Sequence, residues 1–166
     1  IFRMTSGGKL IEGIFSGETI NTPSMLCVED YIDALLWAKN LGGLKALIAR
    51  ADANAKVIFD FVAENNWIAN LAVADETRSN TSVCLKIVCK DVAALDAGAQ
   101  ADFAKGMVAL LEKENVALDI GAYRDAPSGL RIWAGATIET ADMKAVMPWL
   151  KWAFETQKAT LAKAAA

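Results

Sequence analysis

The chain has 166 residues, with 17 basic and 20 acidic side chains and a formal charge of −3, which excludes the basic footprint of a nucleic-acid or anionic-membrane binder. It contains no histidine, so Ser-His-Asp chemistry, Cys-His chemistry and any histidine-containing metal site are excluded, and acid–base work falls to Lys, Asp, Glu, Tyr or a cofactor. No uninterrupted apolar run approaches the ~18 residues of a membrane span, and Cys27, Cys84 and Cys89, lacking a close pairing spacing, read as reduced, buried thiols of a cytoplasmic protein.

The length suits one domain, or one and a piece. Hydrophobic residues make up 54% of the chain and the mean hydropathy is +0.27, so part of the surface is expected to lie against something else. The opening Ile1–Met4 is no signal peptide and reads as a start in mid-protein. Residues 1–21 are loop-like and glycine-rich. Ser6-Gly7-Gly8-Lys9 lacks the glycine spacing and the Ser or Thr of a phosphate loop and reads as a turn. Leu10–Phe15 reads as a short strand or an irregular packing segment. Thr22 is expected to cap a first helix with Pro23 at its first position, an N-terminus that could also hold a phosphate. Val28, Tyr31, Ile32, Leu35 and Leu36 recur there at helical spacing, and Lys39, Asn40, Gly42 and Gly43 end the element.

A second helix is predicted over about 44–65, with the stripe Leu44, Leu47, Ile48, Ala51, Ala55, Ile58, Phe61 and Val62. It would span about 30 Å, long enough to bridge two domains. Trp67–Val73 reads as a short strand and 74–81 as a polar loop. Ser82–Cys89 is the clearest strand, and its near-continuous apolar character points to a central position. Val92–Leu95 is ambiguous. Gln100–Lys113 reads as a helix facing inward through Phe103, Met107, Leu110 and Leu111. Val116–Ala122 and Leu130–Ala136 are expected as strands flanking the turn Pro127-Ser128-Gly129. The last helix starts near Thr140 and presents Met143, Val146, Met147, Leu150, Trp152 and Phe154; Pro148 either kinks it or restarts it at Trp149. The order after Asn65 suits a small mixed sheet with helices on one face.

Arg124 and Arg131 stand out. A guanidinium on a strand just past a glycine turn is costly to bury unpaired, and its fork suits a carboxylate or phosphate. The blander reading puts Arg131 on a solvated sheet face and Arg124 in a loop. Seven residues apart across one turn, the two form the best candidate anion site in the chain.

The segments Gly8–Phe15, Gly17–Met25, Leu47–Asn54 and Ser128–Thr137 carry a more specific signal. Together they resemble the C-terminal part of the phosphoserine aminotransferase family, within the class V, fold-type-I pyridoxal-phosphate aminotransferases and especially in its alphaproteobacterial form, over essentially all 166 residues. The resemblance implies an α/β (α+β) fold: residues 1–43 as the tail of a large cofactor domain, 44–65 as a connecting helix and 66–166 as the small C-terminal domain. It implies a cytoplasmic homodimer of serine biosynthesis using pyridoxal 5'-phosphate. The reaction it implies runs from 3-phosphohydroxypyruvate and glutamate to phosphoserine and 2-oxoglutarate. Asn21 and Thr22 would reach the phosphate of the partner subunit's cofactor, Arg131 would grip the substrate carboxylate, and Arg124 would lie near the substrate phosphate. The lysine that carries the cofactor has no counterpart here, so no catalytic residue and no metal ligand is assigned, and the chain is expected to be inactive alone. The competing readings are a non-catalytic α/β module that binds a small anion or another subunit, and the C-terminal part of a related aminotransferase with another substrate.

Overall fold

The computed structural model describes residues 4–18 and 22–164, and the chain divides into two compact units, Ile1–Leu44 and Lys45–Ala166. In the first unit, β1 (Thr5–Ser6) pairs antiparallel with β2 (Lys9–Leu10). Gly7 and Gly8 between them take φ of 57° and 75°, the left-handed geometry that a two-residue hairpin turn demands and that glycine adopts without steric cost. The Ser6–Lys9 stretch is therefore the turn its composition indicated. A 3-10 turn, Glu12–Ser16, follows and ends at Gly17.

Helix α1 covers Met25–Asn40, starting later than the sequence reading placed it. Its cap is Ser24, whose Oγ accepts the Cys27 N–H at 3.5 Å, and not Thr22. Thr22 and Pro23 precede the helix as a non-helical approach. The predicted stripe is a second correction: Val28, Tyr31, Ile32, Leu35 and Leu36 are all exposed, and no residue of α1 is buried. The apolar pattern is real, but nothing among the described residues covers it.

The second unit holds nearly all of α2 (Gly43–Glu64). Its buried face is Ala51, Asn54, Ala55 and Ile58, while Leu44 and Ile48 at its start are exposed. Then come β3 (Ile68–Asn70), β4 (Ser82–Ile87), α3 (Lys90–Ala93), α4 (Ala97–Lys113), β5 (Leu130–Trp133) and α5 (Thr140–Ala164). The sheet order is β3-β4-β5, so Ser82–Cys89 supplies the central strand, as its apolar run indicated. The ambiguous stretch before α4 resolves into α3. Pro148 neither restarts nor divides α5, which is one continuous helix.

The expected mixed sheet is corrected to an antiparallel one: both strand pairings run antiparallel. Val116–Ala122 does not form the expected strand either. It makes a single antiparallel bridge, Gly121 to Leu130, because Asn115 and Asp119 take φ of 53° and 55°, a left-handed conformation that interrupts extended pairing. The chain then reverses through Pro127–Gly129, which sets β5 antiparallel to what precedes it.

Period-two alternation divides the sheet into two faces. Ile68, Val83, Leu85, Leu130 and Ile132 point into the core with Phe103, Met107 and Leu111 of α4 and Met147, Leu150 and Phe154 of α5. Trp67 stacks on Phe154, ring centroids 4.1 Å apart. Cys84 and Lys86 of β4, with Arg131 and Trp133 of β5, alternate with these inward residues and occupy the open face.

Candidate functional site

Arg131 is positioned by its strand. Leu130 and Ile132 on either side of it are buried, which fixes the pleat and turns Arg131 to the open face, opposite Cys84 in the β4 register. Its backbone N–H donates to the Ile120 carbonyl at 2.8 Å, tying β5 to the 116–121 segment. Its Nη2 donates to Asp119 Oδ2 at 3.0 Å. The arginine side chain is 34% exposed and the aspartate 89%, so the carboxylate approaches from the solvent side. Both border a cleft of about 550 Å³ that also meets Trp133 and Asp142. Arg131 is the only cation among the residues lining that cleft.

Arg124 is elsewhere. It lies on the exposed 122–127 loop with its guanidinium carbon 5.8 Å from the ring centroid of its neighbour Tyr123. It borders a different cleft of about 460 Å³, between that loop and the alanine-rich face of α4, with Lys105 and Ser128 at its rim. The two clefts have no lining residue in common. The structure therefore does not bring the two arginines into one site, although the turn between them is present. Asn21 lies outside the described residues. Thr22 is exposed, ahead of α1 in the first unit.

Two features next to Arg131 escaped the sequence reading. The first is Asp119, hidden inside what looked like a strand. The second is a polar clasp from α2. Asn54 is fully buried. Its Nδ2 faces the carbonyls of Ala134, Gly135 and Ile138 at 3.3, 3.2 and 2.9 Å, and its Oδ1 accepts the Thr140 hydroxyl at 2.6 Å. Arg50, one turn earlier, donates Nε to Ala136 O at 2.8 Å and Nη2 to Glu139 at 2.6 Å. Together they fix the loop that carries the chain from β5 into α5. The available signal was a polar i, i+4 pair lying beside the alanines of an otherwise apolar helical stripe.

Away from this site, Lys158 of α5 meets Asp91 of α3 at 2.8 Å. The hydrogen bond from Lys158, and then its charge, hold the Asp91 carboxyl below its ordinary range. The bond to Asp91, followed by the nearby Cys89, raises Lys158. Among the described residues, no helix is long and apolar enough to cross a membrane.

No protein-family model matches the chain. It is 51% identical over 158 residues to the phosphoserine aminotransferase of Methanosarcina barkeri and equally to that of Methanosarcina mazei, covering 95% of this chain and 40% of each relative. The chain thus spans about two-fifths of the length of the curated relatives it matches. Among solved structures, phosphoserine aminotransferase from Bacillus circulans subsp. alkalophilus superposes with a TM-score of 0.68 at 17% identity, over 82% of this chain and 34% of that one. The pyridoxal-phosphate-bound enzyme from Trichomonas vaginalis gives 0.66 at 19%, over 83% and 36%. These likenesses show the fold alone, an α/β arrangement shared with part of each of those chains.

Proposed function

We propose that this chain, a portion of a phosphoserine aminotransferase-family protein, supplies the substrate-carboxylate grip of an enzyme that exchanges an amino group between glutamate and 3-phosphohydroxypyruvate, giving phosphoserine and 2-oxoglutarate. The observation that carries this is Arg131: a cation held at its backbone by the sheet, facing a cleft in which no other cation stands. Two parallel N–H donors would fix the α-carboxylate of either amino acid or oxo acid. The contribution of the guanidinium is positioning and not proton transfer. In this reading residues 1–43 are the tail of the large domain, 44–65 the connecting helix and 66–166 the small domain of a cytoplasmic homodimer.

Pyridoxal 5'-phosphate, when bound, supplies the electron sink for amino transfer. Asn21 and Thr22 would hold its phosphate from the partner subunit. The exposed Thr22 hydroxyl and the helix start three residues on are donors that suit a phosphate. In this reading the cofactor-bearing lysine would lie outside these 166 residues, so the chain alone is expected not to transaminate. The uncovered apolar residues of α1 fit a surface that the rest of the enzyme would cover.

Arg124 would serve the substrate phosphate from its loop, and it has no carboxylate partner among the described residues. Its separation from Arg131 counts against one substrate spanning both in this conformation. That separation favours a second reading, an aminotransferase whose substrate needs only the carboxylate grip. Steady-state assay of the complete enzyme separates the two. Arg131→Ala should lower kcat/KM about 100-fold or more for every substrate. Arg124→Ala should weaken phosphorylated substrates selectively; equal losses on phosphorylated and unphosphorylated substrates would favour the second reading. An Arg131→Ala enzyme with normal kcat/KM would remove the proposal.

A further inference from the structure

We propose that Asp119 is a built-in competitor for the guanidinium of Arg131, a carboxylate that holds one of its two forks against a substrate carboxylate. This inference rests on the reading of Arg131 as the carboxylate grip. Three observations carry it. The contact is one-sided: only Nη2 meets Asp119, at 3.0 Å, and neither Nε nor Nη1 has a partner among the described residues. Nη2 carries two N–H groups, one in each fork of the guanidinium, so Asp119 takes one fork and leaves a ligand carboxylate the other unless it is displaced. The competitor is also delivered by backbone geometry. Asp119 sits at φ 55°, and the next residue, Ile120, accepts the Arg131 N–H, so the register of the loop brings the carboxylate to the guanidinium. Finally, the aspartate is 89% exposed, so its release meets no packing and its charge can return to water.

The chemistry of the cleft agrees. Its lining carries one cation, Arg131, against two carboxylates, Asp119 and Asp142. An anion entering there meets net negative charge unless Asp119 swings away. The arrangement would screen the site against weak stray anions, because a ligand must bind the guanidinium beside a tethered carboxylate or outcompete it. It is a specificity device that lowers affinity for all carboxylates by the strength of one partly exposed ion pair.

The test uses the complete enzyme that carries this chain. Asp119→Asn keeps the shape and removes the charge; Asp119→Gly removes the side chain and suits the left-handed backbone, so its fold is retained. Both variants should lower the KM for glutamate, and the Kd of 2-oxoglutarate as a binding probe, by about 2- to 5-fold, the range of a partly exposed ion pair. kcat should not change, and the gain should shrink as salt is raised. In an Arg131→Ala background, Asp119→Asn should have no further effect on Kd. An unchanged or raised KM in both variants would overturn the inference and make Asp119 inert or an orienting partner. If Arg131→Ala still weakens carboxylate binding strongly, only this inference has failed. If Arg131→Ala leaves binding intact, the carboxylate grip itself is wrong.

Discussion

Replacing Asn54 tests whether the α2 clasp holds the segment that carries Arg131. The amide has two N–H groups and faces three carbonyls, with the closest contact 2.9 Å to Ile138, and it accepts the Thr140 hydroxyl at 2.6 Å. Each buried hydrogen bond contributes about 1 kcal/mol net, and each polar group left buried without a partner costs about 1–3 kcal/mol. Asn54→Ala removes two good bonds and strands at least one carbonyl, in a site fully shielded from solvent. The expected loss is about 3–5 kcal/mol, a large share of the ~5–15 kcal/mol a domain has. Urea unfolding followed by tryptophan fluorescence, to which the buried Trp67 contributes, should show the midpoint falling by about 2 M at an m-value near 2 kcal/mol/M. Asn54→Leu separates the causes: it refills the volume but leaves the same carbonyls unpaired, so it should be no better than alanine. A loss under about 1 kcal/mol in Asn54→Ala, or wild-type stability in Asn54→Leu, would refute the reasoning.

Two further perturbations follow from the same structure. A Cβ added at Gly129 would collide with the Leu85 carbonyl oxygen, where β5 enters beside β4, so Gly129→Ala should cost about 3 kcal/mol or more and lower Tm by about 6–12 °C, while Ser128→Ala should change Tm by less than about 2 °C; calorimetry of both variants checks this. Lys158 depresses Asp91, so that group stabilises above its unfolded pKa and loses its effect as pH falls through the lower folded value; Lys158 is raised, so its contribution holds below its unfolded pKa and disappears as pH rises through the folded one. The Tm advantage of the wild-type chain over Asp91→Asn should therefore be present from about pH 4 to about pH 10.5 and fade at both ends; an advantage that does not shrink at all as pH falls below about 4 or rises above about 10.5 would show that the ion pair is not its source.

Much of the fold was legible because apolar periodicity reports which face is buried. The central position of β4, the inward residues of α4 and the continuous apolar surface of α5 all follow from it. It fails where its premise fails. In α1 the stripe is periodic but nothing among the described residues covers it, and a sequence cannot reveal whether a partner for a stripe lies within the chain. In 116–122 the residues are apolar and alternate plausibly, yet Asn115 and Asp119 adopt the left-handed conformation, which Asn and Asp tolerate better than other residues. Two such residues within five positions were a visible warning against a strand. The helix start moved from Thr22 to Ser24, two residue types that both cap well, so residue type alone did not separate them.

The candidate site was half legible, and the reason is geometric. Arg131 could be found because a lone cation inside an apolar strand must face away from the core. Pairing it with Arg124 relied on nearness along the chain across a turn, which is not nearness in space. Gly121 bridges Leu130, so the position facing Arg131 across the ladder is Ile120, and the residue diagonal to it is Asp119. Arg124 lies beyond the bridge, where the chain has already left the sheet for the loop beside α4. Electrostatics points the same way: two guanidinium groups in one small cleft repel, whereas a carboxylate beside Arg131 attracts it. A substrate with a negative charge at each end would reverse that preference, since it offers each arginine a partner. Whether the 122–127 loop then brings Arg124 toward β5 is measurable as a change in the distance between labels on Asp125 and Trp133, each replaced by cysteine in a Cys27, Cys84 and Cys89-free background of the complete enzyme. Shortening of that distance by 3-phosphohydroxypyruvate but not by pyruvate, which carries one negative charge, is the expected result, and identical distances with both would remove Arg124 from the proposed substrate site.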